Sequence, residues 1–362
     1  MPLATSQSYS HIFYEMKMYL VTSLFFLFAF AGSGKEGGGE NEVDLNSSKS
    51  VESMSEVFLA AVGQNGKSYH LDEIIPIFER ENAIDIKPTF YPKIAIKLNT
   101  QFAPGICTSL NLVRELLIWL TQRGYPKDKI ILFDRDRDGL VAAGFLSEKK
   151  DDHFFEGVRV TDSSKEDYYQ GNWFHESPLP PSSVDRAKFI LNFPNDQKLR
   201  LREERKSYLP AKILGDAFWI NLAVPMDDPY LGIDGASANM TLGAMSNYGR
   251  FSNKTTLSAA TVAEVMAIPE IWDKKLFSII DFSSFQVANG QRYDSYYAGS
   301  QNAIFIGRNP FALDYLAWKI INKERALRHG LSVRDINNAL IFKYSEELGM
   351  GKRVNFRAKR IR

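Results

Sequence analysis

A chain of 362 residues with 44% hydrophobic and 13% aromatic content can bury a large core in one or two domains. Its formal charge of +1 leaves no electrostatic footprint for nucleic acid as a partner. The single cysteine, Cys107, excludes an intramolecular disulfide framework, a cysteine zinc site and an iron–sulfur cluster held by several thiolates, and reads as a small structural residue.

In chain order, the first element is an apolar run from Met18 to Ala31, preceded by Lys17 and closed by Ala29, Ala31, Gly32 and Ser33. That is the anatomy of a secretory signal peptide. At about 14 residues the run is short for a bilayer-spanning helix, which needs about 20, so cleavage near Ala31 is expected over a permanent N-terminal anchor. A start at Met16 would give a better-formed signal. Export to the periplasm, cell envelope or medium follows, with membrane contact confined to the N-terminus. Residues 32–56, rich in Gly, Ser and Glu, read as a flexible linker. Residues 57–350 read as one folded domain, and 351–362, with six basic residues and no acid, as a solvated basic tail.

Within the domain, short apolar runs each end in a polar group. They are Lys93–Leu98 before Asn99, Lys129–Phe133 before Asp134, Phe189–Phe193 before Pro194, Phe218–Leu222, Leu276–Ile280 before Asp281, and Ala303–Ile306 before Gly307. Such runs, separated by helical patterns, predict an α/β fold with a mixed, mostly parallel sheet and flanking helices. One helix is capped by Thr108 or Ser109, carries Leu110, Val113, Leu116, Leu117 and Leu120 at helical spacing, and stops at Gly124. Another starts at Asn309–Pro310 with an apolar stripe through Leu313, Leu316, Ala317, Ile320 and Ile321. Asp314 borders that stripe, either complementing the helix dipole or serving a site.

The stretch Ile220–Phe251 is rich in Gly, Asn, Asp and Met, and Arg250 is its only basic residue. It is too irregular for one element and too apolar to drift in solvent, which predicts an ordered loop packed over something. Open α/β sheets place ligands at the carboxyl ends of their strands, so Asn99, Asp134, Asp281 and this loop are expected to converge on one crevice.

Familiar motifs are weak. Asp134–Gly139 imitates the start of an EF-hand loop, but its twelfth position is Phe145 in place of the bidentate Glu. The five histidines show no metal-ligand spacing, and no nucleophile elbow, Walker loop or dinucleotide-binding glycine motif is present. Backbone amides near Gly232, Gly235 and Gly243 could form an anion nest with Lys97 supplying charge, although Lys97 could equally only snorkel to solvent.

Taken together, KIAIKLN, IILFDRD, FILNFP, the loop WINLAVPMDDPYLGIDGASANMTLGAMSNYGRF, LFSIID and FIGRNPFALDYLA resemble the bacterial and archaeal family known as domain of unknown function 362, over roughly residues 90–345. Some members carry an appended ferredoxin-like cysteine module, absent from this sequence. The resemblance implies site roles for Lys97, Asn99, Asp134, Asn239, Gly243, Asn247, Asp281 and Asp314. It also marks departures. Met226, Asp227 and Asp228 stand where many members have a Lys and a His, and Ala238 stands where they have a Lys.

Two function classes follow. One is an exported enzyme whose crevice uses Lys97, Asp134, Asp281 and Asp314 as acid/base groups or as oxygen ligands of a divalent cation of unknown identity. Asn99, Asp228, Asn239, Gly243 and Asn247 would then bind the ligand. The alternative is a non-catalytic envelope protein that holds a small ligand or partner in a degenerate site.

Overall fold

The computed structural model describes residues 55–361, apart from 64–65, 150–151, 177–205, 211–214, 216, 252–254, 291 and 353–354. The expected signal peptide, nearly all of the linker and the strand expected at 189–193 lie outside the described residues. Among the described residues, no helix is long and apolar enough to cross a membrane.

The fold is α/β, built on a nine-stranded sheet. Its central strands are the apolar runs of the sequence: β2 (Ile94–Lys97), β3 (Ile130–Phe133), β5 (Val158–Thr161), β8 (Phe218–Ala223), β11 (Lys275–Asp281) and β14 (Ala303–Gly307). With β1 (Ser55–Ala61), β4 (Phe154–Phe155) and β15 (Phe356–Arg360), the order is β15-β1-β14-β11-β8-β2-β3-β5-β4. From β11 through β5 the neighbours run parallel, and β14 is antiparallel to both β1 and β11. The sheet is therefore mixed and mostly parallel, as expected.

Two boundaries move. The folded region already includes Ser55, the first residue of β1 and a position assigned to the linker. The basic tail is not merely solvated, because Phe356–Arg360 pairs in parallel with β1 at the sheet edge. Phe356 is buried, while Arg357, Lys359 and Arg360 are exposed, so an apolar anchor ties down a charged edge strand.

Strand alternation sends side chains to two cores, one on each face of the sheet. On one face, helices α1 (Leu71–Glu81) and α2 (Leu110–Gln122) pack over Ile94, Ile96, Leu132, Ile220 and Ile279. Helix α2 ends where Gly124 takes φ +90°, a conformation glycine adopts without strain. The opposite core holds Ala95, Phe133, Trp219 and Ile280 with residues of α5 (Thr255–Met266), α7 (Pro310–His329) and α8 (Leu340–Glu347). Asn309 caps α7 by accepting from the Phe311 and Ala312 amides, with Pro310 in the first turn and Gly330 closing the far end.

The short helix α3 (Arg137–Ala142) follows β3, and α4 (Ala236–Met240) and the four-residue α6 (Pro269–Trp272) complete the helices named here. The stretch Ile220–Phe251 is ordered but not irregular throughout. After β8 it forms β9 (Met226–Asp228), β10 (Gly232–Asp234) and α4. Strands β9 and β10 join β12 (Phe285–Gln286) and β13 (Ala298–Gly299) in a second, four-stranded sheet. A two-stranded ribbon pairs β6 (Tyr169–Glu176) with β7 (Lys206–Pro210).

Candidate functional site

The site begins with register. Lys97 on β2 lies opposite Asn221 on β8, which in turn lies opposite Ser278 on β11. All three share the face of Ala95, Trp219 and Ile280, so an otherwise apolar sheet surface carries one polar row. The row is bonded end to end. Asn221 Nδ2 donates to Ser278 Oγ at 3.2 Å and to the Ala236 carbonyl at 2.8 Å. Asn239, at the end of α4, donates to Asn221 Oδ1 at 2.7 Å.

Lys97, 1% exposed, donates to Asp134 Oδ1 at 2.7 Å, Asn239 Oδ1 at 3.0 Å and the Leu98 carbonyl at 2.5 Å. Its three donors are thereby used. Burial holds its ammonium below the ordinary lysine value, opposed by the Asp134 carboxylate. Asp134 is as fully engaged: Oδ1 also accepts from the Arg135 amide, and Oδ2 accepts from the amide and hydroxyl of Thr100. The EF-hand-like stretch is thus a strand-to-helix turn, in which Asp136 caps α3 by accepting from the Asp138 amide.

Asp314 and Asp281 go elsewhere. Asp314 accepts from the Ala236 and Ser237 amides and the Ser237 hydroxyl, so it caps α4 from a neighbouring helix. Gly235 permits this approach, since a Cβ there would lie 2.3 Å from Asp314 Oδ1. Asp281 accepts from the Tyr69 hydroxyl at 2.6 Å and the Ser283 amide at 2.8 Å. The reason is parity: on β11, Ser278 and Ile280 share one face, and Asp281 points to the other, where Tyr69 belongs to the opposite core. Cys107 is half-buried, and burial followed by the Asp281 charge pushes its thiol up, away from nucleophilic character.

Above the Lys97–Asp134–Asn239 group lies a cavity of about 410 Å³. The stretch Ile220–Phe251 supplies the larger part of its lining. Of the expected site residues, Asn99, Asp134, Asp228, Asn239 and Gly243 line it; Lys97 sits beneath it; Asp281, Asp314 and Asn247 do not line it. Gly243 is needed by close approach, since a Cβ would lie 2.6 Å from the Asn239 carbonyl. Asn247 takes φ +50° before the turn that delivers Tyr248 to the wall.

Sequence reading missed Asp234 and Arg135. Asp234, at the end of β10, accepts no hydrogen bond among the described residues, and burial near Asp228 and Asp314 pushes its carboxyl up to about 7. An available signal was the closely spaced acidic pair Asp228 and Asp234, one on each strand of the β9–β10 hairpin. Arg135 lays its guanidinium over the Tyr248 ring at 3.6 Å and donates to the Leu242 carbonyl at 2.7 Å. Asp227, beside Asp228, has a different fate: Arg334 clamps it bidentately at 2.5 and 2.7 Å, and Arg325 joins at 3.3 Å.

Among the described residues, no group of three or more His, Cys, Asp or Glu is placed to hold a metal ion. The carboxylates expected to share one cation, those of Asp134, Asp281 and Asp314, instead have separate partner sets.

No protein family matches the chain, and no curated protein is significantly similar to it. A crystal structure of a protein from Thermotoga maritima resembles it with a TM-score of 0.38 and 10% identity, over 74% of this chain and 60% of that one. The chain therefore spans less than two thirds of that protein's length.

Proposed function

We propose that this chain is an exported α/β protein, of the type of domain of unknown function 362, that takes a small polar molecule into the cavity above Lys97 and moves a proton on it through Asp234. Support for the acid–base role comes from one observation in particular: Asp234 faces the cavity without a hydrogen-bond partner among the described residues, and burial pushes its carboxyl up to about 7. Lys97 and Asp134 serve this reading as positioning residues, because their polar atoms are already engaged. They fix Asn239 and the Asn99–Thr100 turn around the ligand. Export rests on the apolar run ending at Ala31, and N-terminal sequencing of secreted protein should find a new terminus just beyond it.

The second reading, a non-catalytic binding protein, is favoured by the same saturation of Lys97, Asp134, Asp281 and Asp314. Screening a metabolite library by thermal shift, with mass-spectrometric detection of products, separates the two. Turnover that is lost in Asp234→Asn while binding persists supports the enzyme. Binding without turnover supports the alternative. If no ligand raises the melting temperature, or if Asn99→Ala leaves every shift intact, the cavity is not the site.

A further inference from the structure

The cavity's lining defines the charge its ligand must carry. Among the described residues, Asp134, Asp136, Asp228 and Asp234 contribute to it, against one cation, Arg135. Local neutralisation does not balance them equally. Lys97 answers Asp134 from below, and the Arg135 guanidinium is turned onto Tyr248 and the Leu242 carbonyl. Asp228 Oδ1 accepts from the Tyr230 and Leu231 amides at 2.7 and 2.8 Å, and its charge also interacts with Arg334. Asp234 has neither a hydrogen bond nor an ion pair among the described residues. The Asn99 side-chain amide, also on the lining, is likewise without a hydrogen-bond partner among the described residues. Tyr230 and Tyr248 bring aromatic surface to the same space.

Resting on the reading that this cavity is the ligand site, we propose that its ligand is an organic cation: an amine-bearing molecule whose ammonium pairs with Asp234 and whose apolar body lies against the tyrosines. Three features favour a cation over a neutral polyol or an anion. A neutral hydroxyl would leave the Asp234 carboxylate without a counter-charge in a partly desolvated space. An anion would meet it directly. A cation relieves it and gains from the aromatic faces. The volume suits a molecule of roughly ten to fifteen non-hydrogen atoms, at the small end of ligand pockets. An adjoining cavity of about 640 Å³ shares Gln101, Phe102, Arg135, Asp136 and Tyr248 with the first, giving a route in for such a molecule.

Proton release follows from this pairing. Below neutrality Asp234 holds a proton in the free protein, and the ammonium displaces it, leaving a carboxylate–ammonium pair plus one proton in solvent. Binding should therefore tighten as pH rises from about 5 to 7 and level off above that.

Calorimetric titration with three probes of one shape tests the proposal: tyramine, its alcohol analogue tyrosol, and the anion 4-hydroxyphenylacetate. Tyramine is expected to bind at least about tenfold more tightly than tyrosol at pH 7.5, with the anion weaker still. At pH 6 its binding heat should vary with the buffer's ionisation enthalpy, reporting proton release. Asp234→Asn should erase the tyramine preference and the buffer dependence. Asp234→Ser, smaller and uncharged, should do the same, and a cooperative melt for each variant shows that it is folded. Equal binding of tyramine and tyrosol, or a preference for the anion, overturns the cation inference while leaving the cavity as a ligand site. No binding of tyramine at about 10 mM also overturns it. Absence of binding by all three probes, with no thermal shift from any library compound, removes the site itself.

Discussion

Two aspartates of one short segment, Asp227, which is buried, and Asp234, which is half-buried, are a controlled comparison. Both belong to the paired strands β9 and β10, and both are carboxylates in the same second sheet. Asp227 is held by two arginines, Arg325 and Arg334. Asp234 has no hydrogen-bond partner among the described residues and faces a cavity. The same contrast separates the polar row from the cavity above it. Ser278, Asn221, Asn239, Lys97 and Asp134 satisfy one another, whereas the Asn99 and Asp234 side chains have no hydrogen bond among the described residues. A buried polar residue is thus not a functional residue until its hydrogen bonds have been counted.

The contrast can be broken most severely at Lys97. Lys97→Met leaves the Asp134 carboxylate and the Asn239 oxygen buried without their donor, and should cost about 3–5 kcal/mol in urea unfolding. Lys97→Met combined with Asp134→Asn should cost less than the sum of the two single changes, since each partner is harmful mainly when left alone. A simple sum would mean that the pair does not act as a unit.

Asp314→Ala should be the next largest change. It orphans two amides and a hydroxyl at the start of α4, and should destabilise by about 2–4 kcal/mol. Because α4 carries Asn239, ligand binding should weaken along with stability. Full stability in this variant would show that the cap is dispensable.

The change at Asp234 should have the opposite sign. Its carboxyl titrates near 7 in the folded state and near 3.9 in the unfolded chain. Between about pH 4 and 7 the folded state therefore holds a proton that the unfolded state has lost, and this group's contribution to stability falls as pH rises through that window. Asp234→Asn removes the decline. It should match wild type at pH 4 and exceed it by about 1–3 kcal/mol at pH 8, less whatever the cavity's water screens. A variant that is less stable at pH 8 would show that the carboxylate is needed structurally.

Smallest of all is Asn99→Ala, expected to change stability by less than about 0.5 kcal/mol because its side chain has no partner to lose. Ligand binding should fall nonetheless. An unfolding midpoint shifted as far as that of Asp314→Ala would place Asn99 among the structural residues instead.

Much of this architecture is legible in the sequence. The runs KIAIKL, KIILF, FWINL, LFSII and AIFI coincide with five central strands, because segments buried on both faces must be apolar throughout. Asn309–Pro310 and Gly124 mark helix ends by local backbone chemistry alone. Grouping Lys97, Asp134 and Asn239 was also within reach, since each sits at or near the carboxyl end of a parallel strand or in the loop that follows one. Asp281 was misplaced by one residue of strand parity, and Asp314 by a contact across 78 positions in sequence. The tail Phe356–Arg360 looked like a charged end, and becomes a strand only because β1 offers it an unpaired edge.

By itself, then, the sequence determined the α/β class, the positions of the central strands and the segment that would enclose a site. These follow from periodicity, burial and capping, which are local. Only the tertiary structure decided which polar groups spend their hydrogen bonds inside the protein and which leave them open to the cavity. Lys97 and Asp234 are both ionisable residues near strand ends in the sequence; one finds three acceptors, two of them from distant parts of the chain, and the other finds no donor among the described residues. That distinction depends on long-range contacts, which no local pattern encodes.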